Sequence, residues 1–282
     1  MKDRKKLLDI KNIVIKVGTS TLTHSNGTID PARIDKIAEV LSQLCNKGYK
    51  VILVTSGAIA VGASKIGITE RPSDLPGKQA LAAIGQAELI NMYAKSFDQY
   101  HQIVAQVLLT KDGITNPVRR ENANNTLKKL IEMNIIPIIN ENDTIATDEI
   151  EIGDNDTLSA YVAIISNSDL LIILSDIDGL YTDDPRKNPD ATIISKVPFL
   201  TKEIEEVASG AGTSFSTGGM VTKIIAAKLC VNNNVNMVIT KGDDPAIVFN
   251  ILEGQDVGTL FVANGIPSEN GRKNYFFFDN HI

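Results

Sequence analysis

The chain has 282 residues, of which 43% are hydrophobic and 22% charged, with a formal net charge of −6. These values are typical of an ordinary globular protein, and the acidic balance without any Trp argues against a dedicated nucleic-acid surface. Neither an apolar run of membrane-spanning length nor a signal-peptide pattern is present, so we expect a cytoplasmic protein with no membrane partner.

The cysteines and histidines give no pattern of a disulfide or metal site. Cys45 and Cys230 lie inside predicted helices without CxxC spacing, and the three histidines are scattered. We therefore expect both cysteines to be small core residues and no metal to be bound by the protein itself.

Short β-branched runs alternate along the chain with longer helical patterns. In chain order, the pattern predicts a strand at 13–17, a helix at 31–47, a strand at 51–54, helices after 57 and at 78–100, a strand at 103–108, a helix at 118–133, a strand at 135–139, a helix at 157–165, a strand at 169–174, helices at 202–209 and from 220, a strand at 236–240 and a helix at 246–252. Continuous apolar strands separated by helices indicate a mainly parallel sheet that is covered on both faces.

Polar residues and glycines recur where the predicted strands end. The four clusters lie at 16–20, 55–57, 140–143 and 175–179. Because ligands of open α/β sheets bind at the carboxyl ends of the strands, these clusters predict a binding site at that edge.

The segment 216–223 has the features of a phosphate-binding loop. Gly218 and Gly219 let backbone amides approach a ligand, and the helical run that follows directs its dipole at an anion. Lys223 lies one turn inside this helix, although the pattern GxxxxGK[ST] of a P-loop is absent. The alternative is a glycine loop before a structural helix.

Lys16 interrupts an otherwise apolar strand and is followed by Gly18 and small hydroxyl residues. A buried lysine is costly unless an anion compensates its charge. Together with Lys223 it predicts two ammonium groups on one phosphoryl group, and the alternative is an edge-strand lysine that faces solvent.

Acidic and amide residues are concentrated at 141–143 and 153–157. The EF-hand pattern fails, because loop position six lacks Gly and position twelve lacks Glu. The composition favours an amino-acid ligand, with Asp143 for its ammonium and Asn155 for its carboxylate. Asp154 and Asn155 also fit a helix N-cap, which is a purely structural alternative.

These motifs resemble, in order and over residues 12 to 262, the amino-acid kinase family and within it the branch that acts on glutamate. The segments that carry the resemblance are 15–20, 54–59, 140–144, 153–156, 175–176, 179–186 and 217–223. The resemblance implies ATP-dependent phosphorylation of the L-glutamate γ-carboxylate to L-glutamyl 5-phosphate, the first step of proline biosynthesis. It also implies a three-layer α/β/α sandwich.

The resemblance implies roles for individual residues. Lys16 and Lys223 would stabilise the transferred phosphoryl group, with Asp156 orienting them. Glutamate would be held by Ser56, Asp143 and Asn155. ATP would be held by Lys16, Ser175, Asp176, Thr217, Gly218, Gly219, Met220, Val221, Thr222 and Lys223. Ser175 departs from the Thr of many relatives but keeps the hydroxyl. ATP would be the co-substrate, with Mg²⁺ carried mainly by the nucleotide.

The resemblance also sets expectations for domains and partners. We expect a kinase domain at 1–265 and a short tail at 266–282, without the C-terminal PUA domain of many relatives. Proline is expected as a feedback inhibitor that binds near Ser56, Asp143 and the loop 69–77, which is either a mobile lid or an ordinary surface connection. The helix from Lys78 could face a second subunit of a homo-oligomer.

Two other hypotheses for the function remain open at this point. Another amino-acid kinase, acting on aspartate, acetylglutamate or a phosphorylated ligand, would keep the ATP side and change Ser56, Asp143 and Asn155. A non-catalytic sensor of glutamate or proline would have no need of Lys16 and Lys223.

Overall fold

The computed structural model of the chain describes residues 2–24, 27–68, 72–145, 155–209 and 219–263. The strands in these ranges are β1 (Asn12–Val17), β2 (Lys50–Thr55), β3 (Val104–Leu109), β4 (Ile136–Glu141), β5 (Leu170–Ser175), β6 (Lys196–Val197), β7 (Asn236–Lys241) and β8 (Thr259–Phe261). The helices are α1 (Lys2–Lys5), α2 (Thr19–Leu22), α3 (Pro31–Asn46), α4 (Ala58–Lys65), α5 (Leu75–Asp98), α6 (Lys111–Thr115), α7 (Pro117–Glu132), α8 (Asn155–Ile165), α9 (Lys202–Ser209), α10 (Gly219–Asn232) and α11 (Ile247–Leu252).

The strands form one sheet in the order β3-β4-β2-β1-β5-β7-β8-β6. Of the neighbouring pairs in the described ranges, only β7 and β8 are antiparallel. The predicted mainly parallel sheet is therefore confirmed. Because β1 lies between β2 and β5, Lys16 is on a central strand, and the edge-strand alternative for this lysine is wrong.

Two apolar clusters cover the two faces of the sheet, which makes the predicted three layers. Ile13, Ile15 and Val17 of β1 belong to the cluster on the side of α3, α5 and α11. Val14 belongs to the opposite cluster, together with buried residues of α7, α8 and α10. Since successive side chains of a strand point to opposite faces, Lys16 shares the face of Val14 and lies towards α8 and α10.

The long helix α5 begins three residues before the predicted start at Lys78. Asp74 caps it, because an oxygen of its carboxylate accepts a hydrogen bond from the amide of Gly77 at 2.8 Å. Pro76 in the first turn fits the same start, since a proline there removes no helical hydrogen bond.

The backbones of α4 and α5 are in direct contact at two glycines. A Cβ atom on Gly62 would lie 2.0 Å from the carbonyl oxygen of Leu81, and one on Gly85 would lie 1.8 Å from that of Ala58. No larger side chain fits at either position without separating the helices.

Both cysteines are unpaired, and Cys230 is fully buried while Cys45 is half-buried, which confirms their interpretation as small core residues. Burial raises the pKa of the Cys45 thiol to about 11. Among the described residues, no helix has the length and apolar character needed to cross a lipid bilayer. The predicted tail at 266–282 lies outside the described residues.

Candidate active site

A cavity of about 540 Å³ lies at the carboxyl ends of β1, β2, β4 and β5. All four polar clusters at the strand ends contribute to its wall, so the sequence correctly predicted that they meet. The predicted site residues in the wall are Lys16, Ser56, Asp143, Asn155, Ser175, Asp176 and Lys223.

Lys16, Asp156 and Lys223 form a buried group of three charges, called the lysine–aspartate triad below. Lys16 Nζ lies 2.5 Å from one carboxylate oxygen of Asp156, and Lys223 Nζ lies 3.0 Å from the other. Asp156 is 0% exposed, Lys16 4% and Lys223 6%. The ammonium groups of both lysines line the cavity. Two buried ammonium groups side by side can bind the oxygens of an anionic group.

Three elements bring the triad together. Lys16 projects from β1, Asp156 is the second residue of α8, and Lys223 is in the first turns of α10, where its ammonium also donates to the carbonyl of Gly219 at 2.9 Å. The hydroxyl of Thr222 donates to Asp156 at 3.3 Å. The triad therefore depends on two helix N-termini packed over the centre of the sheet.

Only part of the predicted phosphate loop can be placed. Thr217 and Gly218 lie outside the described residues, as does Asp154. Gly219 is the first residue of α10, and Met220 and Val221 are half-buried and do not line the cavity.

The N-terminus of α4 faces the cavity with backbone amides. Gly57 has φ +102°, and this left-handed conformation turns the chain from β2 into the helix. Residues 58–60 line the cavity. Because the first N–H groups of a helix have no partner within the helix, they are available to an anion here.

The side-chain amide of Asn155 is already engaged inside the protein. Its Nδ2 donates to the carbonyl of Thr55 at 2.5 Å, to Ser56 Oγ at 2.9 Å and to Asn140 Oδ1 at 2.7 Å. A backbone carbonyl only accepts, so Thr55 fixes the orientation of this amide. Asn140 in turn donates to Gln86 of α5 at 2.7 Å. Asn155 thus joins the ends of β2 and β4, and its two amide protons are shared among three internal acceptors.

Two carboxylates, Glu141 and Asp143, lie in the same wall. Burial raises the pKa of Asp143 above its ordinary value. Burial, and then the negative charge of Asp143, raise the pKa of Glu141 to about 7. Among the described residues, the enclosed Oε1 of Glu141 has no hydrogen-bond partner. A cation such as an ammonium group would relieve this repulsion. The sequence marked Glu141 as part of an acidic cluster but assigned it no role.

We expect Glu141→Gln to stabilise the protein more at high pH than at low pH. A carboxylate whose pKa is raised by folding holds its proton in the folded state, so the wild type loses stability as the pH rises from about 5 through 7. Gln avoids this loss. Thermal unfolding at about pH 5 and about pH 8 measures the effect, and an equal difference in Tm at both pH values would contradict it.

At the end of β5, the hydroxyl of Ser175 donates to the carboxylate of Asp176 at 3.0 Å, and both residues line the cavity. Because β5 is next to β1 in the sheet, these two residues lie beside Lys16. Asp143 follows β4, which lies on the other side of β1. The described residues contain no group of three or more His, Cys, Asp or Glu side chains that could hold a metal ion.

Known proteins match the chain over most of its length. Residues 11–241 match the model of the amino acid kinase family. The chain is 50% identical over 264 residues to a glutamate 5-kinase of Clostridium perfringens, covering 92% of this chain and 98% of that protein. It is 51% identical over 264 residues to a glutamate 5-kinase of Listeria innocua, covering 92% and 96%. Among solved structures, the carbamate kinase of Giardia lamblia bound to AMP-PNP has a TM-score of 0.65 at 18% identity, covering 91% of this chain and 100% of that one.

Proposed function

The chain belongs to the amino acid kinase family, and we propose that it transfers the γ-phosphoryl group of ATP to the γ-carboxylate of L-glutamate. The product is L-glutamyl 5-phosphate, and the reaction is the first step of proline biosynthesis. The observation that carries this proposal is the buried lysine–aspartate triad, whose two lysines line the cavity. The identity of about half of all residues to glutamate 5-kinases supports the choice of glutamate.

The reaction needs no general base. The γ-carboxylate of glutamate has an ordinary pKa of about 4 and is already ionised at neutral pH. One of its oxygens attacks the γ-phosphorus of ATP, the bond to the bridging oxygen breaks, and ADP leaves with the electron pair. Catalysis then consists of positioning the reactants in line and stabilising charge on the transferred group.

The triad supplies that stabilisation. Lys16 and Lys223 contact the oxygens of the transferred phosphoryl group, while Asp156 fixes the spacing of the two ammonium groups. The γ-carboxylate lies at the N-terminus of α4 beside Ser56, and Asp143 holds the substrate ammonium.

ATP lies along Ser175, Asp176 and the N-terminus of α10. Mg²⁺ would be carried mainly by the nucleotide and would offset the charge of its phosphates.

Hydroxylamine trapping tests the reaction. The product is an acyl phosphate, which hydroxylamine converts to a hydroxamate. Purified protein should form γ-glutamyl hydroxamate only when glutamate, ATP and Mg²⁺ are all present. Hydroxamate from aspartate or acetylglutamate but not from glutamate would show that the chain is a kinase for a different amino acid. If no amino acid gave a hydroxamate, the hypothesis of a non-catalytic sensor would be favoured over that of a kinase.

Asp143→Ala should raise the KM for glutamate strongly and leave the KM for ATP nearly unchanged. The carboxylate is a charge-assisted partner of the substrate ammonium, and the loss of such a contact costs about 1.5–3 kcal/mol, or roughly 10- to 150-fold in KM. Steady-state kinetics with each substrate varied in turn measures both values. A comparable rise in the KM for ATP would indicate general damage to the cavity instead.

We further infer that proline inhibits by competing with glutamate. Proline has the same α-carboxylate and a ring ammonium, and it binds beside Ser56, Asp143 and the predicted lid at 69–77, of which residues 75–77 are the first turn of α5. Residues 69–71 lie outside the described residues, whereas Pro72 lines the cavity. Millimolar proline should raise the apparent KM for glutamate, and undiminished activity at low glutamate would contradict this inference.

A homo-oligomer is also part of the proposal. Ile84 on α5 and, after the end of α4, Ile66 and Ile68 are exposed apolar residues. Burial of these side chains against a second copy would be favourable. Light scattering that gave the mass of a monomer alone would exclude the oligomer.

A further inference from the structure

Lys78 is a third cation in the wall of the cavity, and no sequence motif gave it a role. The other two lining cations, Lys16 and Lys223, share the carboxylate of Asp156. Among the described residues, Lys78 makes no ion pair, and its side chain is exposed at the cavity wall. Within the described part of the protein, the ammonium of Lys78 therefore lacks an ion-pair partner at the cavity wall.

The position of Lys78 in its helix is electrostatically unfavourable by itself. It lies in the first turn of α5, where its amide donates to the carbonyl of Asp74. The helix dipole places partial positive charge at this end, so a cation here is destabilising and an anion is favoured. An anionic ligand beside Lys78 would remove that cost.

A substrate such as glutamate has charges that match this arrangement. In the proposed binding mode its γ-carboxylate lies at the N-terminus of α4, and its ammonium faces Asp143 and Glu141. The α-carboxylate then needs a donor of its own. The sequence favoured Asn155 for this role, but both amide protons of Asn155 are engaged with Thr55, Ser56 and Asn140.

We propose that the ammonium of Lys78 binds the α-carboxylate of the amino-acid substrate and thereby selects substrates that carry this group. This inference rests on the proposed function and adds a specificity-determining residue to it. Lys78 contacts no transferring atom, so its loss should weaken ground-state binding and leave the chemical step intact.

The test compares Lys78→Met with two control variants. Lys95→Met removes an exposed lysine from the other end of α5, and Lys78→Arg keeps the positive charge. Calorimetry gives the Kd of L-glutamate and of its α-amide, isoglutamine, in which the α-carboxylate is neutral. Hydroxamate formation at saturating glutamate gives kcat.

We expect Lys78→Met to raise the Kd of glutamate about tenfold, the effect of losing one charge-assisted contact. The Kd of isoglutamine and the kcat should change less than about twofold. Lys95→Met should match the wild type, and Lys78→Arg should retain most of the affinity for glutamate.

An unchanged Kd of glutamate in Lys78→Met would overturn this inference, and so would equal losses for glutamate and isoglutamine. Both results leave the proposed function in place if the wild type forms hydroxamate from glutamate. A wild type that forms none would overturn the proposed function, and this inference with it.

Discussion

Replacing Lys223 with Met is expected to lower kcat for glutamate by about 150-fold or more, with the KM for glutamate close to the wild-type value. The reason is that the lysine ammonium groups interact most strongly with the oxygens of the transferred phosphoryl group in the transition state. Removing one preorganised contact of this kind costs about 3 kcal/mol. Lys16→Met should behave in the same way, since both ammonium groups line the cavity on opposite oxygens of Asp156.

The fold should survive this change. Without Lys223, Asp156 keeps its ion pair with Lys16, and the buried triad becomes neutral. Lys228→Met is the matched control, because this exposed lysine lies further along the same helix and pairs with Glu205. Nearly normal kcat in Lys223→Met would refute the role of the triad in phosphoryl transfer.

Asp156→Asn is expected to abolish most of the activity and to lower the free energy of unfolding by about 3–5 kcal/mol. Asn has the same shape, but it removes the carboxylate that pairs with two ammonium groups that are 4% and 6% exposed. Chemical denaturation measures the loss, with Asp184→Asn as the control, because this partly exposed carboxylate also pairs with a cation, Arg186. Stability equal to that of the wild type would contradict the prediction.

An anion should restore part of this stability. Sulfate or phosphate in the cavity can replace the missing carboxylate as the partner of the two lysines. The rise in Tm with added sulfate should therefore be larger in Asp156→Asn than in the wild type. An equal rise in both proteins would show that the anion acts elsewhere.

Much of the fold was predictable because local patterns and tertiary structure agree. The strand at 13–17 and the helix at 31–47 were each placed within one residue at every boundary, since apolar runs and a proline at the first helical position determine them. The two- and three-residue strands β6 and β8 were missed. They exist only through pairing with each other and with β7, which no local pattern contains.

The site was predictable in its composition but not in its contacts. The clusters at the strand ends identified Lys16 and Lys223, because charged residues in apolar segments stand out. Two features could not be derived in this way. The engaged amide of Asn155 depends on partners 15 to 100 residues away, and the place of Lys78 in the wall depends on how α5 crosses the sheet.

The glycine contact between α4 and α5 has a consequence for the length of substrate that fits. At Gly62 and Gly85 main-chain atoms touch, so side-chain rearrangement cannot change the separation of the two helices. One helix presents residues 58–60 to the cavity, and the other presents Lys78. The separation of the two main-chain segments from which these groups project is therefore fixed. In the proposed binding mode, a substrate one methylene shorter or longer would have to be accommodated by the side chain of Lys78, because the helices themselves cannot move closer together.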